Sequence, residues 1–395
     1  MKIAIIIRKL NIKGGAQRQA LELASNLKKR GHEVVLYTFV YSKDDCYEKL
    51  LDSLKVVRLD DYKVSSNYFI NLILENKLSK KLAFLIDKDT EVLNPHDQVS
   101  YKVATYFKKK VKKIPSIWMM NDMPTKTWSF WRDSQFDIEL KMSLFKEVAY
   151  WIVDFIDYHK FIKHQDEIVV LDNRDKDWVK QYFKKDALVV RSGLNLENIS
   201  YKQRDSLVGK KVQILMAGIF FPHRRFEDGI LAVKKLRDEN KDVGLVIIGD
   251  YKNNQKYYKK LKKLVNDLEL DGVVEFAGKV SESEFKSFFE KNDIFIFPSH
   301  LQSWGLVVFE AMACGLPVVV SKTAGASEVL TNYRNSIIVE PRNPKQIALS
   351  VKELIDKPDL YQKISKEGRS FVEKNISWDN YAKGMLRIFQ LKTEQ

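Results

Sequence analysis

The 395-residue chain has only two cysteines, Cys46 and Cys314. They stand far apart and lack metal-ligand spacing, which argues against a disulfide framework or a zinc motif and suits a reducing, cytoplasmic setting. No apolar run approaches the ~20 residues that a membrane span needs. The opening "MKIAIIIRKL" is short, runs straight into a glycine loop and has no small-residue cleavage site. It reads as a first buried strand and not as a signal peptide. Low-complexity tracts are absent, and so are a Walker A motif, a protein-kinase set, a nucleophile elbow and a G-x-G-x-x-G dinucleotide fingerprint.

What is present is a globular composition, 45% hydrophobic and 30% charged, with a formal net charge of +15. The length predicts two domains of similar size. Such an excess of cations suggests nucleic acid as a partner, but both halves of the chain are basic and no nucleic-acid module is visible. The sharpest cluster is the set of lysines 102, 108, 109, 110, 112 and 113, interleaved with Tyr101, Tyr106 and Phe107. No acid lies between Asp97 and Asp122. An anionic membrane surface or an anionic acceptor is the expected partner of this segment; a plain solvated helix face is the alternative.

Strand and helix patterns alternate through the first half. "KIAIII" precedes "GGAQRQALELASNLKKRG", where Ala20, Leu23, Ala24 and Leu27 share one helical face. Gly31 ends that helix and "HEVVLYTF" is the next strand. Further strands are expected at "TEVLN", "PSIWMMN", "EIVVLD" and "LVVRSG", with a long aromatic-rich helix within residues 133–163. The pattern restarts after "NLENISYKQRDSLVGKK" with "VQILMAG", "VGLVIIGD", "VVEFAG", "DIFIFPS" and "LPVVVSK". Two Rossmann-like halves with parallel sheets are predicted, the first over residues 1–200 and the second over 207–377.

The segment "PSHLQSWGLVVFEAMACG", from Pro298 to Gly315, carries the most chemistry. A strand ends at Ser299, a polar loop runs through Gln302, and a helix starts at Gly305. Such a start aims unpaired N–H groups and a positive dipole end at one spot, a ready anion site. Glu310 follows about a turn and a half later, placed to reach neutral hydroxyls beside the anion. A diphosphate next to a ribose fits both features.

These residues resemble the Glu-x7-Glu element "E-S-F-G-L-V-x-x-E-A-M-A-x-G-x-P-V-V" of family-four retaining glycosyltransferases of the GT-B fold. Gln302 replaces the first glutamate; Ser303, Trp304, Gly305, Leu306 and Glu310 match. The resemblance runs nearly the whole chain. It implies two facing domains with the active site in a central cleft, and a last helix (378–395) that packs back on the first domain. It also implies a nucleotide-diphosphate sugar as co-substrate, with no cofactor.

Other segments take roles from the same resemblance. Gly14 and Gly15 match the family's glycine loop near the donor diphosphate and acceptor, with Gln17 and Arg18 on the acceptor side. After the strand ending at Gly218 the family carries an arginine and, five or six residues on, a lysine, both on the donor phosphates. Here Ile219 stands at the first position, while Arg224 and Arg225 stand at the second; a guanidinium binds phosphate in bidentate fashion. Two cations at a helix start, against its dipole, favour a bound anion. Val280 in "EFAGKV" is implied to lie against the nucleobase. Glu282 beside it is either a base or ribose contact or a helix-cap residue. In the first domain, "NPHD" (residues 94–97) and "WMMNDMP" (118–124) stand at strand ends. Asn121 replaces a histidine that touches the transferred sugar in many relatives, and His96 is the nearest group for proton work. Two D-x-D matches, at Asp87–Asp89 and Asp175–Asp177, are of a kind common in charged chains, and arginines with a helix start make a metal unnecessary.

The expected function is therefore a metal-independent hexosyltransferase type of enzyme. It would be cytoplasmic, or peripheral at the cytoplasmic face of a membrane, and use a glycan or lipid-linked acceptor. The alternative is a catalytically silent GT-B scaffold, which the departures at Gln302, Asn121 and Ile219 would suit.

Overall fold

In the computed structural model, which describes residues 1–59, 62, 68–135, 143–197, 199–301 and 304–394, the chain divides into two units. The first gathers the described residues of Met1–Trp131, Lys141–Gly193 and Trp378–Gln395; the second gathers those of Arg132–Leu140 and Leu194–Ser377.

The first unit is built on apolar strands buried on both faces, the pattern of a parallel sheet covered by helices. Strands β1 (Lys2–Leu10), β2 (Glu33–Tyr41), β3 (Lys55–Arg58) and β4 (Val92–Pro95) lie in the order β3-β2-β1-β4. A second set, β5 (Ile117–Met119), β6 (Glu167–Val170) and β7 (Leu188–Val189), continues beside β4 through bridges from Leu93 to Ser116 and from His96 to Met119. Every pairing is parallel.

Between the strands run α1 (Gly15–Lys29), α2 (Glu48–Leu51), α3 (Tyr68–Leu85), α4 (Ser100–Lys110), α5 (Lys126–Ser134), α6 (Leu144–Lys160) and α7 (Asn173–Trp178). The expected face of α1 is buried at Ala20, Leu23, Ala24 and Leu27. Leu78, Leu82, Val103 and Phe107 from α3 and α4 pack with Ala4, Ile6, Val35 and Tyr37 of the sheet.

The second unit carries one six-stranded parallel sheet in the order β10-β9-β8-β11-β12-β13. Its strands are β8 (Val212–Ala217), β9 (Val243–Ile248), β10 (Val274–Gly278), β11 (Ile294–Phe297), β12 (Val318–Ser321) and β13 (Ile337–Val339). Helices α8 (Phe226–Asp238), α9 (Gln255–Asp267), α10 (Glu282–Lys291), α11 (Leu306–Ala313), α12 (Pro344–Asp356) and α13 (Pro358–Asn375) connect and cover it. Helix α14 (Trp378–Thr393) belongs to the first unit, where it packs on α1 and Asp379 pairs with Arg30.

The lysine cluster departs from the expected open basic face. Lys102 is buried with its Nζ 2.8 Å from Asp157, Lys108 bonds Asp166 and the His164 carbonyl, and Lys112 donates to the Thr90 carbonyl. Tyr101 and Phe107 are core residues, so neither can reach a headgroup layer. The partners that neutralise Lys102 and Lys108 come from α6 and the start of β6, more than fifty positions away in sequence. Lys109, Lys110 and Lys113 remain exposed. The Asp87–Asp89 match is taken up by Lys2, whose Nζ lies about 3 Å from both carboxylates.

Candidate functional site

Open parallel sheets bind ligands outside the carboxyl ends of the strands, where the strand order reverses. In the second unit that point lies between β8 and β11. Strand β8 leaves the sheet at Gly218, whose N–H donates to the Ile248 carbonyl at 3.0 Å. Gly249 is required beside it: its φ is +156°, and a Cβ there would meet the Gly218 carbonyl oxygen at 1.9 Å. The chain then turns through Pro222–Arg224 and sends Arg224 back over the strand end. The Arg224 Cδ and Nε lie 3.4 Å from the place a Cβ on Gly218 would take. Its Cζ lies 5.9 Å from the ring centre of Phe297, the last residue of β11. A guanidinium is thus held over the exits of both strands that flank the reversal.

The neighbouring loops are tied to this turn. The His300 N–H donates to the His223 carbonyl at 2.8 Å, and His300 Nδ1 lies 3.0 Å from Thr323 Oγ1. Thr323 in turn lies 3.0 Å from Ser321 Oγ at the end of β12. Three successive strand exits therefore share one hydrogen-bonded rim.

Helix α11 starts at this rim. Gly305 caps it with φ +76°, a left-handed conformation that glycine adopts without strain. Leu306 opens the helix, and Glu310 stands half-buried in its second turn. Gln302 and Ser303 lie outside the described residues. Trp304 is not an open binding side chain: it is buried, with its ring centre 4.7 Å from that of Phe309, so only its backbone is left to face a ligand.

Arg225 also departs from its expected role. Its Nε and Nη2 bond both oxygens of Asp228, at 3.0 and 2.6 Å, and its Nη1 lies 2.7 Å from Glu227. Those carboxylates occupy the first turn of α8, so the charge of Arg225 is balanced locally. Val280 is half-buried between β10 and the start of α10. The cap of α10 is a capping box between Ser281 and Glu284; the side chain of Glu282 lies outside the described residues.

In the first unit the order reverses between β1 and β4. Gly14 caps α1, and a Cβ there would meet Gln17 Oε1 at 2.4 Å. Gln17 donates to the Lys9 carbonyl, so it braces the loop from behind. A Cβ on Gly15, by contrast, meets nothing within 4 Å. Arg18 donates its N–H to the Gly14 carbonyl, and its Nε lies 3.9 Å from Glu22.

At the end of β4, Asp97 holds φ +68° and accepts from the Arg8 N–H at 2.7 Å, the Val99 N–H at 3.1 Å and Ser100 Oγ at 2.7 Å. Burial pushes its carboxyl above the usual range despite those donors. Aspartate is among the non-glycine residues that adopt this left-handed region most readily. In the sequence, the signal for Asp97 is an aspartate standing just before a helix.

His96 is fully buried, which removes it from direct contact with an acceptor. Asn94 spends its Nδ2 on the Ile117 carbonyl, so its Oδ1 accepts and His96 Nε2 donates, across 2.9 Å. The ring is therefore the neutral Nε2–H tautomer. Burial lowers its pKa to about 3, too weak a base for proton transfer near neutrality. Asn121, just beyond β5, is half-buried, and its Nδ2 has no hydrogen-bond partner among the described residues.

Residues 198–371 match the family model described as glycosyl transferases group 1. Two uncharacterised glycosyltransferases of Methanocaldococcus jannaschii are similar in sequence. One is 28% identical over 58% of this chain and 60% of its own length; the other is 26% identical over 100% and 99%. Among solved structures, Anabaena HepE in complex with UDP and glucose superposes with a TM-score of 0.74 at 15% identity, covering 99% of each chain. The two units thus have the GT-B fold.

Proposed function

We propose that the chain is a group 1 glycosyltransferase that transfers a hexose-type sugar, with retention, from a nucleotide-diphosphate donor to a glycan or lipid-linked acceptor. The observation that carries this reading is Arg224 lying over Gly218 beside Phe297, at the strand-order reversal of the second unit. A guanidinium over a glycine, with a helix N-terminus on the same rim, is suited to a dianionic leaving group.

In the proposed reaction the bond between the sugar's anomeric carbon and the diphosphate oxygen breaks. Arg224 and the backbone N–H groups at the start of α11 take up the charge that develops on the diphosphate. Glu310 holds the ribose hydroxyls, and Val280 lies against the base. The acceptor oxygen bonds the same face of the sugar, and its proton passes to the departing phosphate. No side-chain base is required, which agrees with the low basicity of His96. Gln302 and Asn121 are assigned to the sugar hydroxyls as hydrogen-bonding amides. Gly15, with open space above it, is assigned to the donor phosphates, and Gly14 to the acceptor side, where Gln17 braces the loop. Charge neutralisation by the protein leaves no task for a metal ion, and no organic cofactor is needed.

UDP-glucose is the first donor to test, because the Anabaena protein was solved with UDP and glucose. Thermal unfolding is measured with a panel of nucleoside diphosphates, and slow hydrolysis with the matching nucleotide sugars, each with and without excess chelator. At a hundredfold excess over Kd, one diphosphate should stabilise the fold by about 2.7 kcal/mol and its sugar should turn over in chelator. Stabilisation without hydrolysis or transfer would favour a silent binding protein. No stabilisation by any diphosphate would overturn the donor site, and turnover restored only by added magnesium or manganese would overturn the metal-free scheme.

A further inference from the structure

Helix α6 is an amphipathic helix whose polar side faces the protein. Asp154 accepts from the Lys126 and Thr127 N–H groups, at 2.8 and 2.9 Å, and from Thr127 Oγ1 at 2.6 Å, so it caps the start of α5. Asp157 pairs with buried Lys102 and accepts from the Tyr101 hydroxyl. Tyr158 donates to the Phe183 carbonyl at 3.0 Å. No residue of this 17-residue helix is buried.

The opposite side is apolar and open. Leu144, Phe145, Trp151, Ile152, Phe155 and Ile156 are between 45% and 86% exposed. At 100° per residue they fall within an arc of about 140°. The arc is ordered by its own rings: Trp151 stacks on Phe155 at 5.4 Å, and Phe155 lies 4.2 Å from His159. A surface of this kind is what interaction sites present, because scattered exposed apolar residues do not line up.

Charge identifies the partner. Lys160 ends the helix, with Lys163 just beyond, and Lys109 Nζ lies 3.3 Å from the Lys160 carbonyl oxygen; all three lysines are exposed. Burial lowers the pKa of Lys109, and the charges of Lys163 and Lys160 add to the effect. Near the other end stands exposed Lys146. Asp154 and Asp157 are turned inward, which leaves Glu147 as the one exposed acid on the helix. A second copy laid parallel would set the lysine-rich ends together, and an antiparallel one would offer those lysines a single acid, Glu147, with Lys146 beside it, whereas anionic headgroups beside acyl chains complement the whole face.

We propose that α6 docks this protein on an anionic lipid surface. The helix lies in the interfacial plane, its aromatic residues at the acyl boundary and Lys109, Lys160 and Lys163 on headgroup phosphates. It lies there without crossing: among the described residues, no helix is long and apolar enough to span a membrane. The exposed apolar arc of α6 takes the place of the expected lysine face of α4, whose Lys102 and Lys108 are internally paired.

The full chain is sedimented with vesicles of phosphatidylcholine alone or mixed equally with phosphatidylglycerol, at low and physiological salt. Two variants are compared, Phe145→Gln/Trp151→Gln/Phe155→Gln and Lys109→Gln/Lys160→Gln/Lys163→Gln, with thermal melts to check the fold and light scattering to measure mass. Wild type should bind mixed vesicles and release as salt rises. Neutralising the lysines should weaken binding by roughly fivefold each, about 100-fold in all, and the aromatic variant should lose it. Unchanged binding by both folded variants would overturn the proposal. So would a wild-type dimer that ignores vesicles and that the aromatic variant turns into a monomer, which would make α6 a protein interface.

Discussion

The His300 N–H donates to the carbonyl of His223 across 2.8 Å, fixing the loop after β11 to the turn that presents Arg224. Arg224 is therefore positioned by backbone on both sides: its own short turn after Phe221, and the strand exit opposite. Its guanidinium lies over Gly218, where any Cβ would come within 3.4 Å of it. This is a supported position, and its removal should affect binding and turnover more than folding.

Arg224→Ala and Glu310→Ala should each cut donor use while the fold survives. Hydrogen bonds to charged groups contribute about 1.5–3 kcal/mol, and loss of a transition-state donor costs about 100- to 1000-fold in turnover. Arg224 should act mainly on kcat, since the leaving diphosphate gains charge in the transition state; Glu310 should act mainly on donor KM, since the ribose is held alike throughout. Steady-state kinetics beside thermal melts decide this. Near-wild-type kcat/KM in both variants would remove these residues from the site.

The strands that carry this rim were legible because each is a short apolar run bounded by glycine, proline or charge, as in "VQILMAG" and "DIFIFPS". The edge strands β3 ("KVVR") and β13 ("IIV") were not, being too short to show a period. The helix start at Gly305 was readable from its loop residues. The fates of Arg225, Trp304 and Lys102 were not, because each depends on a neighbour that sequence spacing does not specify. Arg225 meets two carboxylates one turn on, Trp304 folds onto Phe309, and Lys102 meets Asp157. The aromatic content of α6 announced a helix, but not that its apolar side would face outward, since amphipathic helices normally bury that side.

Gly15→Ala separates ligand space from fold. The residue is the first of α1, its φ is not in the left-handed region, and a Cβ there meets no atom within 4 Å. Alanine should be tolerated, and by helix propensity alone it should stabilise by up to ~1 kcal/mol. If the open space takes the donor phosphates, the variant should nonetheless raise donor KM. A melting temperature at or above wild type with weakened nucleotide binding is expected; unchanged binding would show that the glycine serves only the turn.

Gln302 carries a prediction from chemistry alone. An amide donates and accepts, whereas a carboxylate only accepts. The motif that this segment resembles has glutamate at this position, so Gln302→Glu should retain activity and Gln302→Ala should lose much more. Equal turnover by all three proteins would make Gln302 an ordinary loop residue.

The buried state of His96 predicts a pH dependence of stability with a definite sign. In the unfolded chain the imidazole titrates near 6.5; in the folded chain burial lowers its pKa to about 3. Between those values the unfolded state binds the extra proton, so stability rises with pH across this window. His96 contributes fully above pH 6.5, and its contribution falls as pH drops from there towards 3, by at most about 1.4 kcal/mol per pH unit. His32 and His164 are lowered too and act in the same direction, more weakly for their exposure. Denaturant unfolding between pH 7.5 and 4.5 should show this acid loss, and His96→Asn should flatten it, because an amide has no proton to gain. The imidazole resonance of His96 should stay unshifted over the same range. A midpoint near 6.5 would place the ring in contact with water, and would reopen His96 as a group able to exchange protons with an acceptor.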